Sequence, residues 1–359
     1  MDTNARKGDN IYNIITISGE KARQVIDTEQ VYLAWKAASR ELAARYAGSM
    51  AFKNVGRHQY LYRKTHKAWK SLGPRNGETE KAFETFHVGR RTLQDTVASL
   101  TARLNELAAI NRAMGLGRVP LIAARILRAV DSASLMGSAL DIAGTHCLFA
   151  YERMAGVHID SQLIATGDID LLFDRRTSLR LLARNVPPDG WMDLLKSVDQ
   201  SFRLLSRGSY RAVNKDGFFV DLITPQSADP IKPVGSTPVI DTDLTPVEID
   251  GLKWLVNSPK KEVTVLDARG FPLMMSVPDP RSFALHKIWV SEREDRDPLK
   301  QGRDRDQAFL VAELIAAHLP HLSFEDPALH ALPLELRRQA AILTAGTSRD
   351  APPALEPDW

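Results

Sequence analysis

A single cysteine, Cys147, leaves no partner for an internal disulfide and points to a reducing compartment. Long apolar runs are also missing. No stretch approaches the roughly 18 consecutive apolar residues of a membrane helix, and the polar N-terminus holds no apolar signal region. These absences predict a cytoplasmic protein with no membrane partner. Neither sign of charge dominates. Lys and Arg number 47 against 44 Asp and Glu, a net charge of +3 over 359 residues, so any nucleic-acid footprint must be local.

One local absence supplies such a candidate. Residues 48–75 contain seven Lys or Arg and no acid. Phe52, Tyr60, Tyr62 and Trp69 alternate there with Lys53, Arg57, Arg63, Lys64, Lys67 and Lys70. Turn signals at Gly56-Arg57 and Lys64–Lys67 predict a small basic β-meander. Two readings are open. The cations could hold phosphates while the aromatics stack on bases, or the aromatics could pack on the next helix with the lysines solvated.

The remainder divides into five stretches. Residues 1–76 hold a helix, expected to start at an Asp27/Gln30 capping box, followed by the meander. Residues 77–116 are one long helix, a connecting arm or a plain bundle helix. Residues 117–235 form the core, 236–345 add strands and helices, and 346–359 are a frayed tail. Pro225 to Pro246 holds five prolines and reads as a loop. Leu252–Val256, Val263–Leu266 and Pro272–Val277 read as strands that extend the sheet.

The chemistry concentrates between Gly144 and Asp174. Asp168-Ile169-Asp170-Leu171 starts an apolar run. On an extended strand the two carboxylates share one face while Ile169 and Leu171 enter the core. Two acids held that close repel unless a cation intervenes, and an oxygen-only set suits Mg²⁺ or Mn²⁺. A third acid, Asp221, sits inside Phe218–Ile223, which Asn214–Gly217 turns into a hairpin with Tyr210–Val213. If that strand lies beside the first, Asp168, Asp170 and Asp221 form a metal centre of the two-ion type. Leu140–Ala143 reads as the first core strand. Gly144 and Thr145 then open a helix whose N-terminus suits a triphosphate, although an ordinary strand-to-helix turn has the same sequence. Asp174 reads as a turn cap, and Arg175 and Arg176 as phosphate contacts or solvated surface. His146 and Cys147 are adjacent, so they face apart on a helix and make a poor metal pair.

Gly144-Thr145, Asp168-x-Asp170 and the distant Asp221 together resemble the nucleotidyltransferase (polymerase-beta-like) superfamily. The Gly-Thr form and the long gap to Asp168 are similar to the abortive-infection-type toxin nucleotidyltransferases. The wider string from Ala143 to Glu152, with Ala165 to Leu172, is similar to a bacterial group of nucleotidyltransferase-fold proteins. The resemblance spans about 45 to 315. It implies an α/β nucleotidyltransferase fold with a mixed-sheet core, preceded by the meander and long helix and followed by helices. In the toxin-type proteins an Ala-x-Lys-Leu helix precedes a Lys/Arg-Asp-x-x-Asp motif. Lys287 matches the lysine and Asp304 the first acid, while Gln307 replaces the second.

The implied activity is Mg²⁺-dependent transfer of a nucleoside monophosphate from an NTP, such as ATP, to an acceptor. Asp168, Asp170, Asp221 and Lys287 are the catalytic candidates, and Gly144, Thr145, Lys287 and Asp304 the nucleotide-binding ones. The basic meander makes RNA, tRNA included, the expected acceptor. A toxin or defence role with an antitoxin or similar partner follows from the resemblance alone. Two alternatives stand beside this reading: a nucleic-acid-binding module without catalysis, and transfer to a protein or small-molecule hydroxyl.

Overall fold

The computed structural model describes residues 12–65, 68–174, 190–226 and 242–347. It has the expected fold class, a mixed α/β chain with the meander and long helix first and helices last. Two compact units divide it. The larger comprises residues 1–18, 118–267 and 273–359, and the smaller 19–117 and 268–272.

The larger unit begins with a two-residue strand, β1 (Ile15–Thr16). In the smaller unit α1 spans Gly19–Arg45, so it starts well before the Asp27/Gln30 pattern predicts. Asp27 lies within a continuous helix. There, Thr28 Oγ donates to the Gln24 carbonyl at 2.8 Å, a local bond that accommodates a polar residue inside a helix. The meander is β2 (Ser49–Val55), β3 (His58–Thr65) and β4 (Ala68–Pro74), antiparallel throughout. The true capping box opens α2 (Gly77–Ala113). Asn76 Oδ1 accepts from the Thr79 N–H, and Thr79 Oγ accepts from the Asn76 N–H, each at 2.9 Å. The long helix is one of a pair, packed along α1. Met50, Leu61 and Phe86 join the meander to the helices.

In the larger unit, α3 (Leu121–Ser132) leads to β5 (Leu140–Ala143). A 3-10 turn at Gly144–His146 feeds α4 (Cys147–Ala155). The strand β6 (Val157–His158) pairs with β1. Then come α5 (Ser161–Ile164), β7 (Asp168–Phe173), α6 (Trp191–Val198), β8 (Arg203–Leu204), β9 (Arg211–Val213), β10 (Phe219–Pro225) and β11 (Val247–Ile249). The sheet order is β5-β7-β10-β9-β8. The two central strands, β7 and β10, run parallel, and β5 and β9 flank them antiparallel. Further along β10, β11 adds a short parallel pairing.

Side-chain alternation gives the sheet two different faces. Ile142, Ile169, Leu171, Ala212, Val220 and Leu222 point into the main core. On the other face Ala143, Leu172 and Ile223 lie under Leu252, Leu255 and Val256. Those three belong to α7 (Leu252–Asn257), a helix where a strand was expected. A six-residue segment with four apolar residues is too short to distinguish the two by periodicity, and this one caps a sheet instead of joining it. Covering each large apolar side chain there contributes about 1.5–3 kcal/mol. Toward the start of β7 the same face changes character, and Asp168, Asp170 and Asp221 replace the aliphatics.

β12 (Lys260–Leu266) and β13 (Pro272–Pro278) do not extend that sheet either, but pair with each other. Side chains, not a backbone ladder, tie them to the edge strand. Ser276 Oγ donates to Asp141 at 2.6 Å, and Lys260 Nζ pairs with the same carboxylate at 3.1 Å. The chain continues through α8 (Pro280–Ser291), α9 (Pro298–His318), α10 (Leu334–Arg338) and α11 (Ala340–Thr347). Among the described residues no helix is long and apolar enough to cross a membrane.

Candidate active site

The register places the acids. Asp168 is opposite Phe219, and Asp170 is opposite Asp221, across the parallel β7–β10 pair. Asp168, Asp170 and Asp221 therefore project from one face of two adjacent strands. Thr166 Oγ donates to Asp168 Oδ1 and orients it. On the other side of β7, Ala143 pairs with Asp170, and the chain turns at Gly144 with φ +64°. A Cβ added there would stand 2.0 Å from Asp170 Oδ2. The glycine lets the backbone pass directly against the carboxylate.

Burial pushes the Asp170 carboxyl up to about 6, reinforced by Asp168 and Asp221 and opposed by Lys287 and Arg211. The folded protein thus binds that proton more tightly than the unfolded chain. Stability from this group is full below the unfolded carboxylate value and is lost as pH rises from about 4 to about 6. Asp170→Asn, in the absence of divalent ions, should therefore raise thermal stability at pH 7.5 by about 2 kcal/mol and leave it unchanged near pH 4. Melting curves at the two pH values check this, and a variant less stable than wild type at pH 7.5 contradicts it.

Asp221 is 5% exposed and already has a cation. Arg211, its register partner on β9, donates from Nε to Asp221 Oδ1 at 2.6 Å and from the guanidinium terminus to Oδ2. The Phe219 and Tyr210 rings lie 5.0 and 5.6 Å from that guanidinium. Arg211 was not singled out in the sequence, yet the signal was there. The Asn214–Gly217 turn sets a register that puts residue 211 opposite residue 221.

Lys287, on α8, donates to Asp304 on α9 at 2.5 Å. Arg296 holds the other oxygen of Asp304, with Nε at 2.8 Å. Asp304 is 3% exposed, so it positions Lys287 from behind. Gln307, where the motif would have an acid, donates to Thr145 Oγ at 3.2 Å and to the Leu163 carbonyl at 3.3 Å. It braces the glycine turn. Burial drives His146 down to about 4, although the negative charge of Asp168 opposes this. It is neutral at pH 7 and serves packing. Cys147 is buried, and burial pushes its thiol up. Asp174 lies four residues beyond Asp170, roughly 13 Å along the strand, and its N–H bonds the Ala139 carbonyl at 2.9 Å. Arg175, Arg176 and Lys67 lie outside the described residues.

Do these residues suit a divalent cation? The Asp168/Asp170 pair does: hard oxygen donors, mutual repulsion, and a turn that leaves Asp170 room. Among the described residues no three His, Cys, Asp or Glu side chains group closely enough to hold a metal ion by themselves. Asp221 is beside the pair, but its oxygens are engaged by Arg211.

The meander is built separately, in the smaller unit. Lys53 Nζ lies 3.3 Å from the centre of the Trp69 ring and 5.8 Å from that of Tyr62. Lys64 is 5.7 Å from Trp69. Register puts Lys53, Tyr60, Tyr62, Lys64 and Trp69 on one face. Arg63 is on the opposite face, where it donates to the Arg45 carbonyl at 2.5 Å and lies 5.2 Å from the Phe86 ring. Lys70 is paired with Arg63 in register, and Arg57 sits at the exposed hairpin turn.

A family model described as nucleotidyltransferase matches residues 122–333. No curated protein and no solved structure matches the chain. The matched span is more than half the chain and takes in Gly144, the Asp168/Asp170 pair, Asp221, Lys287 and Asp304. The chain belongs to this nucleotidyltransferase family.

Proposed function

We propose that this chain transfers a nucleoside monophosphate from an NTP to a hydroxyl acceptor, with RNA or tRNA as the preferred acceptor. The observation that carries the proposal is the Asp168/Asp170 pair on one sheet face, with the Gly144 turn pressed against Asp170. Asp168 and Asp170 would hold Mg²⁺ or Mn²⁺. When bound, such an ion supplies Lewis-acid charge at the reacting phosphate and the leaving pyrophosphate.

The chain's own groups do the rest. The Gly144–Thr145 turn, braced by Gln307, receives the triphosphate. Lys287, held by Asp304, offsets its charge. The acceptor hydroxyl oxygen attacks the α-phosphorus, the bond to the β-phosphate oxygen breaks, and pyrophosphate leaves. Asp221 takes the hydroxyl proton once Arg211 has released it. Lys53 and Lys64, beside exposed Trp69 and half-buried Tyr62, offer phosphate and base contacts for RNA. A cytoplasmic toxin or defence role, with a controlling partner protein, is the biological setting we propose from the family likeness.

One observation favours the second reading, a nucleic-acid-binding module without chemistry: the hold of Arg211 on Asp221. Incubation with labelled NTPs, Mg²⁺ and RNA separates the two. Label on RNA that disappears in the Asp168→Asn/Asp170→Asn double variant, by at least about a thousandfold, supports transfer. RNA binding with no label on any acceptor supports the module. Label that persists in the double variant overturns the site assignment, and label on protein or a small molecule moves the acceptor.

A further inference from the structure

We propose that Arg211 and a divalent cation are mutually exclusive partners of Asp221, so that Arg211 is a built-in counter-cation which must be displaced before the third carboxylate joins the site. This rests on the reading that Asp168 and Asp170 hold such an ion.

Three features of the hairpin argue for it. First, both Asp221 oxygens accept from Arg211, in the two-point geometry that a guanidinium makes with a carboxylate. An oxygen so engaged is shielded from a second cation. Second, the hairpin register fixes the pair. Arg211 and Asp221 are directly opposed across β9–β10, so the contact is not a chance of surface side chains. Third, the two partners differ in exposure. The Asp221 side chain is 6% exposed and that of Arg211 28%. The arginine therefore has a solvent side towards which it can leave, while the aspartate stays beside Asp170.

The energetics favour exchange over coexistence. Asp168, Asp170 and Asp221 carry three negative charges on adjacent strands. Arg211 neutralises one of them, and a buried carboxylate stripped of its partner is strongly destabilising. A divalent ion replaces that lost charge and adds one more. With Arg211 in place, an ion at Asp168/Asp170 has two protein ligands and a neighbouring positive charge. With Arg211 displaced it gains a third carboxylate and loses the repulsion. Bidentate binding and stacking beside Phe219 make Arg211 hard to replace with Lys, which contacts a carboxylate as a point charge.

The test measures Mn²⁺ binding to the full chain by the electron-spin-resonance signal of free Mn²⁺, without NTP or acceptor. Arg211→Met should bind Mn²⁺ about tenfold more tightly than wild type, within the range for directly coupled charges. In the Arg211→Met/Asp221→Asn double variant that gain should vanish, because it runs through Asp221. Arg211→Lys, which keeps the charge and covers a variant that will not fold, should show a smaller gain. Arg211→Met at wild-type affinity overturns the proposal. So does a gain that survives in the double variant, since Arg211 would then act only as a remote charge; if Arg211→Met does not fold, Arg211→Lys at wild-type affinity does the same. Wild-type binding that Asp168→Asn/Asp170→Asn leaves intact would instead sink the metal-site reading itself.

Discussion

Gly144→Ala is expected to lower nucleotidyl transfer about 100-fold, the cost of displacing a reacting group by about 1 Å, and to weaken Mn²⁺ binding with it. Two effects act at this position. The backbone is left-handed, with φ +64°, which costs a side-chain-bearing residue about 1–3 kcal/mol. The new methyl would also stand 2.0 Å from Asp170 Oδ2, so the carboxylate or the turn must move. Gly156, at the end of α4, separates the two. It has the same φ of +64°, yet an added Cβ meets nothing within 4 Å. Gly156→Ala should lose comparable thermal stability and keep both transfer and Mn²⁺ affinity. If the two variants lose activity alike, backbone strain is the cause and the turn has no special relation to Asp170. If Gly144→Ala retains wild-type transfer, Asp170 does not need its observed position.

The acid face was legible in the sequence because it depends on a short-range rule. Alternation along Asp168-Ile169-Asp170-Leu171 decides which side chains share a face, and the turn at Asn214–Gly217 sets Arg211 opposite Asp221. Both facts are local, whereas the parallel β7–β10 pairing that brings Asp221 beside Asp170 is long-range and entered the sequence reading only as a condition. Lys287 and Asp304 were legible only through resemblance, and their 2.5 Å contact joins two helices. What was not legible depends on tertiary partners. Leu252–Asn257 became a helix because an uncovered sheet face needed a lid, and no pattern inside six residues records that. The start of α1 was misplaced because Asp27, a good cap in isolation, is overruled by eight preceding helical residues. Gln307 reaches Thr145 across 162 positions, a contact beyond any window. Arg211 is the instructive case. The Asn214–Gly217 turn sets the hairpin that opposes it to Asp221, but nothing in the sequence around a lone cation on a strand marks it as the partner of a buried acid.

Asp304→Ala should give the largest loss of stability among single changes near the site, because one buried carboxylate there serves two cations. Lys287 Nζ is 2.5 Å from Oδ1, and the guanidinium of Arg296 reaches Oδ2 at 2.6 Å. The Lys287 side chain is 12% exposed and that of Arg296 34%, so the two respond differently. Arg296 can turn to water when the acid is removed. Lys287 cannot do so without leaving α8's buried side, and an uncompensated buried charge costs about 3–5 kcal/mol. Thermal unfolding of Asp304→Ala should therefore fall several degrees below wild type, whereas Arg296→Ala, removing the more exposed partner, should cost no more than about 1 kcal/mol. Catalysis separates position from stability. At a temperature where both variants are folded, Asp304→Ala should raise the KM for NTP and lower kcat, since Lys287 no longer has a fixed place beside the triphosphate. Asp304→Asn keeps an oxygen acceptor for Lys287 and should recover part of the stability. An Asp304→Ala protein with wild-type melting and kinetics would show that Lys287 finds another partner, and that the buried pair neither holds the helices together nor aims the lysine.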